Sequence, residues 1–210
     1  MNQTIEYYNK NAQEYYNKTV KTDMSRLCDR FLKYVKAGGT IIDIGCGSGR
    51  DMKYFIGQGY QAVGIDASYE MCKMARSLEL DIENVSIEEW IPERKYDGIW
   101  ANASLLHVPF PKIDSFFQKA KSCMNAGGIV FISMKVGLKE EYDEEGRYFF
   151  TFSETILDSL LEKHRVFCLR DKWYSDDKLG RNEFQWLNFI LEKSIDAVFK
   201  EDELVKNQKR

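Results

Sequence analysis

The sequence predicts an α/β protein: a doubly wound, mostly parallel seven-stranded sheet with helices on both faces and an antiparallel hairpin near its C-terminal end. Three observations predict it. From residue 40 onward, short β-type runs alternate with helical stretches. A glycine-rich turn separates the first run from the helix that follows it. The last two runs, 165–174 and 183–191, follow one another with no helix between them. Alternation implies parallel strands joined by crossover helices, whereas a helix-free link permits antiparallel pairing.

The elements follow in order. Residues 3–18 can wind a helix with Ile5, Tyr8, Ala12, Tyr15 and Tyr16 on one stripe. A second helix places Leu27, Cys28, Phe31, Leu32 and Val35 at helical spacing and ends at Ala37-Gly38-Gly39. The first strand is 40–44, followed by the glycine turn and a helix through about Gly57. The second strand is 61–65, and Ser68 is suited to cap the next helix, which would bury Met71, Cys72, Ala75 and Leu78. Residues 84–87 form a weak third strand, 96–101 the fourth, 113–124 a helix and 128–134 the fifth strand. Residues 135–150 form the longest irregular stretch, an acidic loop, and 153–164 is a helix opened by Ser153 and Glu154. The expected organisation is one domain: a helical cap or lid (1–39), a core (40–193) and a mixed-charge tail (194–210) forming a surface helix or frayed end.

Composition narrows the function. An apolar fraction of 44% is incompatible with a disordered chain. No apolar stretch is long enough to span a bilayer, and the amino terminus has no secretory pattern, so a soluble, cytoplasmic protein is expected, as monomer or homodimer. Five well-separated cysteines without a C-x-x-C pair, and only two histidines, give no metal site and no disulfide framework. A net charge of −3 weighs against non-specific nucleic-acid binding without excluding a local basic patch.

The chemistry concentrates at Asp43-Ile44-Gly45-Cys46-Gly47-Ser48-Gly49-Arg50-Asp51, which closes a buried strand and opens a helix. Glycines allow a sharp turn and let a ligand approach the backbone closely. The second strand then ends in Asp66, whose carboxylate can accept both hydroxyl hydrogens of a ribose. The dinucleotide fingerprint G-x-G-x-x-G requires glycine or alanine where this chain has Arg50, and the P-loop pattern is absent. Asp43 would repel a pyrophosphate but could hold an ammonium group. A ribose joined to an amino-acid ammonium therefore fits better than a dinucleotide.

D-x-G-x-G-x-G at 43–49, followed by an acid ending the second strand, resembles the class I S-adenosylmethionine-dependent methyltransferases, as do YDGIWANASLLHVP at 96–109 and MNAGGIVFISMK at 124–135. The resemblance implies a Rossmann-like fold, S-adenosyl-L-methionine as cofactor and S-adenosyl-L-homocysteine as product. It places Gly45 and Gly47 along the methionyl group, Asp43 near its ammonium and Asp66 on the ribose. Ala67, Ser86 and Ile87 would then meet the adenine, and Asn102 would face the reactive methyl. Ser86 stands where the family often carries an acid, a role open to Glu88 or Glu89. The amino-terminal tyrosines of similar enzymes fold over the cofactor, which assigns Tyr8 or Tyr16 to it.

His107, just after the fourth strand, is the candidate general base, against the alternative of a loop histidine fixing the turn before Pro109 and Pro111. His164 reads as structural at a helix C-terminus, Cys46 as a packing residue, and Trp186 as part of the sheet. In the acidic stretch, Lys135, Arg147, Tyr148 and, further on, Arg181 are candidate acceptor contacts, the cations for an anionic group. Asn102-Ala103-Ser104-Leu105 lacks the paired prolines common in amino-methyltransferases of DNA adenine or glutamine amides. NASLLH followed by proline looks closer to small-molecule methyltransferases, and the covering elements are small, so a small-molecule acceptor, small or medium in size, is expected. The alternatives are an RNA (tRNA) methyltransferase, a non-catalytic cofactor-binding module and a disfavoured nicotinamide oxidoreductase.

Overall fold

The structure is a computed structural model and describes residues 2–181 and 184–195. The sheet runs through seven strands in the order β3-β2-β1-β4-β5-β9-β8, with β1 Thr40–Ile44, β2 Gln61–Asp66, β3 Ile82–Asn84, β4 Tyr96–Asn102, β5 Met124–Lys135, β8 Phe167–Asp176 and β9 Gln185–Lys193. The first five are parallel, β9 is antiparallel to β5, and β8 is antiparallel to β9, as the helix-free link predicts. The remaining two strands, β6 Glu140–Tyr142 and β7 Tyr148–Phe150, pair with each other apart from the main sheet.

Strands buried on both sides alternate between two cores. Ile42, Ile44, Ile99, Ala101, Val130 and Ile132 face α6 (Phe110–Cys123) and α7 (Glu154–Lys163). Ile41, Trp100, Ile129 and Phe131 face the other way, onto α3 (Ser25–Leu32), α4 (Arg50–Gly57) and α5 (Tyr69–Arg76). Trp100 is wholly buried and stacks on Phe131, with ring centroids 4.0 Å apart. Caps form where the sequence places them: Ser68 accepts from the Met71 amide and Ser153 from that of Ile156.

Four boundaries differ from expectation. The third strand lies at 82–84, because its partner β2 ends at Asp66, whose O takes the last rung from Val85 N. The fifth begins at Met124, directly at the helix end, because Met124 pairs with Tyr96 across an irregular stretch of ladder. The acidic stretch contains the β6–β7 hairpin: Asp143 Oδ1 accepts from the amides of Glu145 and Arg147 and closes its turn. The amino-terminal helix divides into α1 (Gln3–Lys10) and α2 (Ala12–Thr19) at Asn11. Only the first two residues of the expected tail, Ser194 and Ile195, are described; the rest of it, and position 183 of the last predicted run, lie outside the described residues. No described helix is long and apolar enough to cross a membrane.

Helix α1 is held at both sides of the sheet's carboxyl edge. Asn9 Oδ1 accepts from Ser68 Oγ (2.9 Å) and Glu70 N (3.2 Å), and Thr4 Oγ1 accepts from Tyr148 N (2.8 Å). This pinning roofs the crevice between β1 and β4, the point where strand order reverses and where open α/β sheets bind ligands.

Candidate active site

A cavity of about 270 Å³ fills that crevice, walled by the chain leaving β1, β2, β4 and β5. At its floor the glycine turn folds against β2: Gly45 N and Cys46 N both donate to Ile65 O, at 2.8 and 3.0 Å. The two motif glycines serve different needs. Gly45 (φ +70°) lies against β4's exit loop, where an added Cβ would come within 2.5 Å of Ser104 Cβ. Gly47 (φ +55°) faces open space, with no atom within 4 Å of such a Cβ. Its bare backbone is a surface that a ligand can reach.

The acids around this turn differ in how they are satisfied. Asp66 accepts from Gly47 N through Oδ2 and from Ser68 N through Oδ1, both at 2.8 Å. Burial raises its pKa and these two amides work against the rise. Each oxygen keeps a lone pair for hydroxyl groups. Asp43 is buried on the cavity wall and accepts no hydrogen bond among the described residues. Burial, with the Asp51 charge next, pushes its carboxyl well above the usual range.

Asp51 and Arg50 form a neighbouring network that the sequence reading did not assign to the site. Arg50 Nε and Nη2 donate to Asp51 Oδ1 and Oδ2 (2.6 and 3.0 Å), and Trp100 Nε1 (2.9 Å) and Asn102 Nδ2 (3.1 Å) donate to Oδ2. Burial pushes the Asp51 carboxyl up, but Arg50 and the other donors pull it below its ordinary value. Asn102 thus has its amide group fixed, with its carbonyl oxygen left for the cavity. Ala103 follows at φ +55°, a strained conformation for a residue with a side chain, at the cavity edge. The signal in the sequence was the Arg50-Asp51 pair beside the apolar Met52 and Phe55, a charged pair entering a buried helix face.

Of the predicted residues, Asp43, Gly45, Gly47, Asp66, Ala67, Ser86, Ile87, Asn102, His107, Lys135, Arg147 and Arg181 line this cavity. Ser86 Oγ donates to Glu89 Oε2 at 2.9 Å, while Glu88 lines the wall. Two predictions are corrected. Tyr16 lies outside the cavity; Tyr8 of α1 and Tyr15 of α2 line it instead, their rings in edge-to-face contact, and Tyr16, the next residue on α2, lies about 100° round that helix from Tyr15. Tyr148 also points away, its hydroxyl on Glu140 Oε1 (2.7 Å), because alternation along β7 turns Phe149 toward the cavity.

His107 sits between the roof and this wall. Its Nδ1 is 2.7 Å from Tyr148 O, an acceptor, so Nδ1 carries the proton and Nε2 accepts from Tyr8 Oη at 2.8 Å. Burial, opposed by the bond to Tyr148, lowers its pKa to about 4. The imidazole is therefore neutral near pH 7 with a fixed tautomer. Both ring nitrogens are engaged by the protein, so His107 reaches a ligand only through Tyr8. His164 does not line the cavity; it is buried on Asp114 (2.7 Å) and stacks on Phe117.

Four cations, Lys135, Arg147, Lys178 and Arg181, line the neighbouring wall, where Arg147 and Lys135 also act on His107. Arg147 pairs with Asp143 (2.7 Å) and Glu145 (2.8 Å), and Arg181 pairs with Asp177 (2.8 Å). Although burial raises the Asp177 pKa, hydrogen bonds from Arg181 and Trp186 hold it at about 2. Lys135 touches two rings, Phe149 and Phe184. Among the described residues, no group of three histidine, cysteine or acidic side chains is arranged to hold a metal ion.

Comparison with known proteins follows the same lines. A family model described as a methyltransferase domain matches residues 16–204. A ubiquinone biosynthesis O-methyltransferase of Paraburkholderia phytofirmans is 34% identical over 105 residues, 46% of this chain and 44% of that protein. An uncharacterised protein of Methanocaldococcus jannaschii is 33% identical over 120 residues, covering 56% of this chain and 41% of that one. The chain thus spans less than half the length of these curated relatives. Among solved structures, the Burkholderia thailandensis 1,6-didemethyltoxoflavin-N1-methyltransferase with bound 1,6-didemethyltoxoflavin and S-adenosylhomocysteine superposes with TM-score 0.74 at 18% identity, over 90% of this chain and 85% of that one. The magnesium protoporphyrin IX methyltransferase of Synechocystis with bound S-adenosylmethionine gives TM-score 0.68 at 14% identity, over 92% and 98%. At such identities the likeness is one of fold.

Proposed function

The chain belongs to the methyltransferase domain family, and from that premise we propose that it is an S-adenosylmethionine-dependent methyltransferase acting on a small-molecule acceptor. The observation that carries this reading is the meeting, on one cavity wall, of Gly47's open backbone with the carboxylate of Asp66.

The residues present fit the cofactor. Asp43 offers an unpartnered buried carboxylate to its ammonium, and the Gly45–Gly47 backbone offers a passage for the methionyl chain. Asp66 has lone pairs for the ribose hydroxyls, and Ala67, Ser86 and Ile87 supply the adenine wall, with Glu88 as the nearby acid. The rings of Tyr8 and Tyr15 pack edge to face over the cavity (5.1 Å) and present electron-rich surface toward a sulfonium. When bound, the cofactor supplies a methyl group already joined to a good leaving group.

The protein then has to position a nucleophile and take its proton. Tyr8 Oη donates to His107 Nε2, and its oxygen, beside the Arg147 guanidinium, has a second lone pair with which to accept from an acceptor hydroxyl. A proton moving from the acceptor to Tyr8 Oη is matched by Tyr8's own proton passing to His107 Nε2. The Tyr148 carbonyl holds the opposite edge of the ring throughout. Helices α1 and α2, within the proposed cap of residues 1–39, exclude water from this step. The RNA alternative is not favoured by the matched relatives.

Calorimetry tests the assignment. S-adenosylhomocysteine is expected to bind and NADH not to, and Asp66→Ala is expected to abolish the first interaction. Retained affinity in that variant would refute the ribose assignment.

A further inference from the structure

Two lysines line the cavity wall: Lys178 is exposed to solvent, whereas Lys135 is half-buried and, among the described residues, meets no carboxylate in an ion pair. It closes β5 and points into the cavity, with Nζ 4.0 Å from the ring centroid of Phe149 and 4.2 Å from that of Phe184. The neighbouring acids are already committed. Asp143 and Glu145 hold Arg147, Asp177 holds Arg181, and Asp143 and Asp177 act on Lys135 only from a distance. Asp176, the other acid on this wall, is exposed to solvent. Two arginines stand close enough to add to burial in lowering the Lys135 pKa to about 8, the signature of a positive local potential. Ring faces stabilise a cation but give its N–H groups no strong acceptor. An oxyanion would supply one.

The same ring links this cation to the proton relay. Phe149 lies 4.7 Å from the His107 ring, centroid to centroid, on the way from His107 to Lys135. Resting on the methyltransferase reading above, we infer that the methyl acceptor is a compact oxyanion-bearing molecule, a carboxylic or phosphonic acid, whose acidic group pairs with Lys135 while its nucleophile meets Tyr8, one phenyl ring away. Arg147 and Arg181 shape the positive field but are held by their own carboxylates. The acceptor's charge therefore falls on Lys135.

Ligand-observed NMR on the full chain saturated with S-adenosylhomocysteine tests this, using benzoate, phenylphosphonate and the neutral isostere benzamide. One of the two acids is expected to bind roughly tenfold tighter than benzamide, as a charge-assisted hydrogen bond provides; which one does so separates a carboxylate from a phosphonate site. Lys135→Met should erase that preference with S-adenosylhomocysteine affinity unchanged, and Lys135→Arg should keep it. Equal binding of all three, binding of none, or a preference that survives Lys135→Met overturns the inference. Failure of the wild type to bind S-adenosylhomocysteine would instead mark the cofactor reading as wrong, and the acceptor inference would fall with it.

Discussion

Tyr8 Oη and His107 Nε2 lie 2.8 Å apart although 99 positions separate them in the chain. The contact joins the roof helix to the loop after β4 and gives the imidazole a single tautomer, because Tyr148 O claims the other nitrogen. Neither residue alone has the geometry of a base. Together they place a phenol oxygen in the cavity with a proton acceptor behind it.

Tyr8→Phe should therefore lower methyl transfer to a hydroxyl acceptor by roughly 10²-fold, the low end for a positioned acid–base group, with S-adenosylhomocysteine affinity changed little. His107→Gln should also remove part of the pH dependence of stability. The folded pKa of about 4 lies below the ordinary value of 6.5. The unfolded chain thus binds the proton more readily. The His107 contribution is complete above pH 6.5 and is lost as the pH falls toward 4. The difference between wild-type and variant denaturation curves, taken across that window, measures it.

The two motif glycines should separate folding from binding. Gly45→Ala drives a Cβ to within 2.5 Å of Ser104 and should unfold or severely destabilise the chain. Gly47→Ala meets no protein atom, so its cost is the left-handed backbone alone, about 1–2 kcal/mol. The new methyl occupies the surface proposed for the ligand. Circular dichroism should show Gly47→Ala folded, while titration with S-adenosylhomocysteine should show at least a tenfold loss of affinity.

How far the site was legible depended on whether a residue's role is set by local pattern. The seven strands, the glycine turn and Asp66 follow from periodicity and turn chemistry, which neighbouring residues determine. The β6–β7 hairpin is hidden because β6 carries Glu140, Glu141 and exposed Tyr142, with no buried alternation to read, and β7 is only three residues long. Of Tyr8 and Tyr16, only Tyr8 meets the crevice, and Tyr15 joins it; a stripe of aromatics does not show which of its side chains face the cavity. Tyr148 and Phe149 differ only by the facing of a three-residue strand, which the Thr4–Tyr148 bond fixes from the other end of the chain. Asp51's role needs Trp100 and Asn102, brought to it by a parallel crossover.

Asp43 should behave as a residue that weakens the empty protein. Its folded pKa is raised by burial and by the Asp51 charge, so its contribution to stability is full below the ordinary carboxylate value, near 3.9, and is lost as the pH rises through the folded value. At neutral pH an amide removes that penalty. Asp43→Asn is expected to raise the melting temperature without ligand, at about 2–4 °C per kcal/mol relieved, and to weaken S-adenosylhomocysteine binding about tenfold. Thermal melts with and without the nucleoside give both signs; a lower melting temperature in the empty variant would show that the charge is compensated within the fold.

Asp51 presents the opposite balance. It is as inaccessible as Asp43, yet it accepts from Arg50, Trp100 and Asn102 and keeps its charge. Asp51→Ala would leave a guanidinium, an indole N–H and a carboxamide without their acceptor, and breaking such a buried pair costs about 3–5 kcal/mol. Asp51→Asn keeps the shape and one acceptor oxygen but withdraws the charge from Arg50, so a smaller loss is expected. The two variants should differ in a second way. Asn102 depends on Asp51 for the orientation of its amide, and in Asp51→Ala it is free to turn its Nδ2 into the cavity. Urea denaturation should rank the stabilities wild type, Asp51→Asn, Asp51→Ala, and S-adenosylhomocysteine affinity should fall in the same order. An Asp51→Ala protein as stable as wild type would mean that water replaces the carboxylate, and that the network does not hold Asn102 in place.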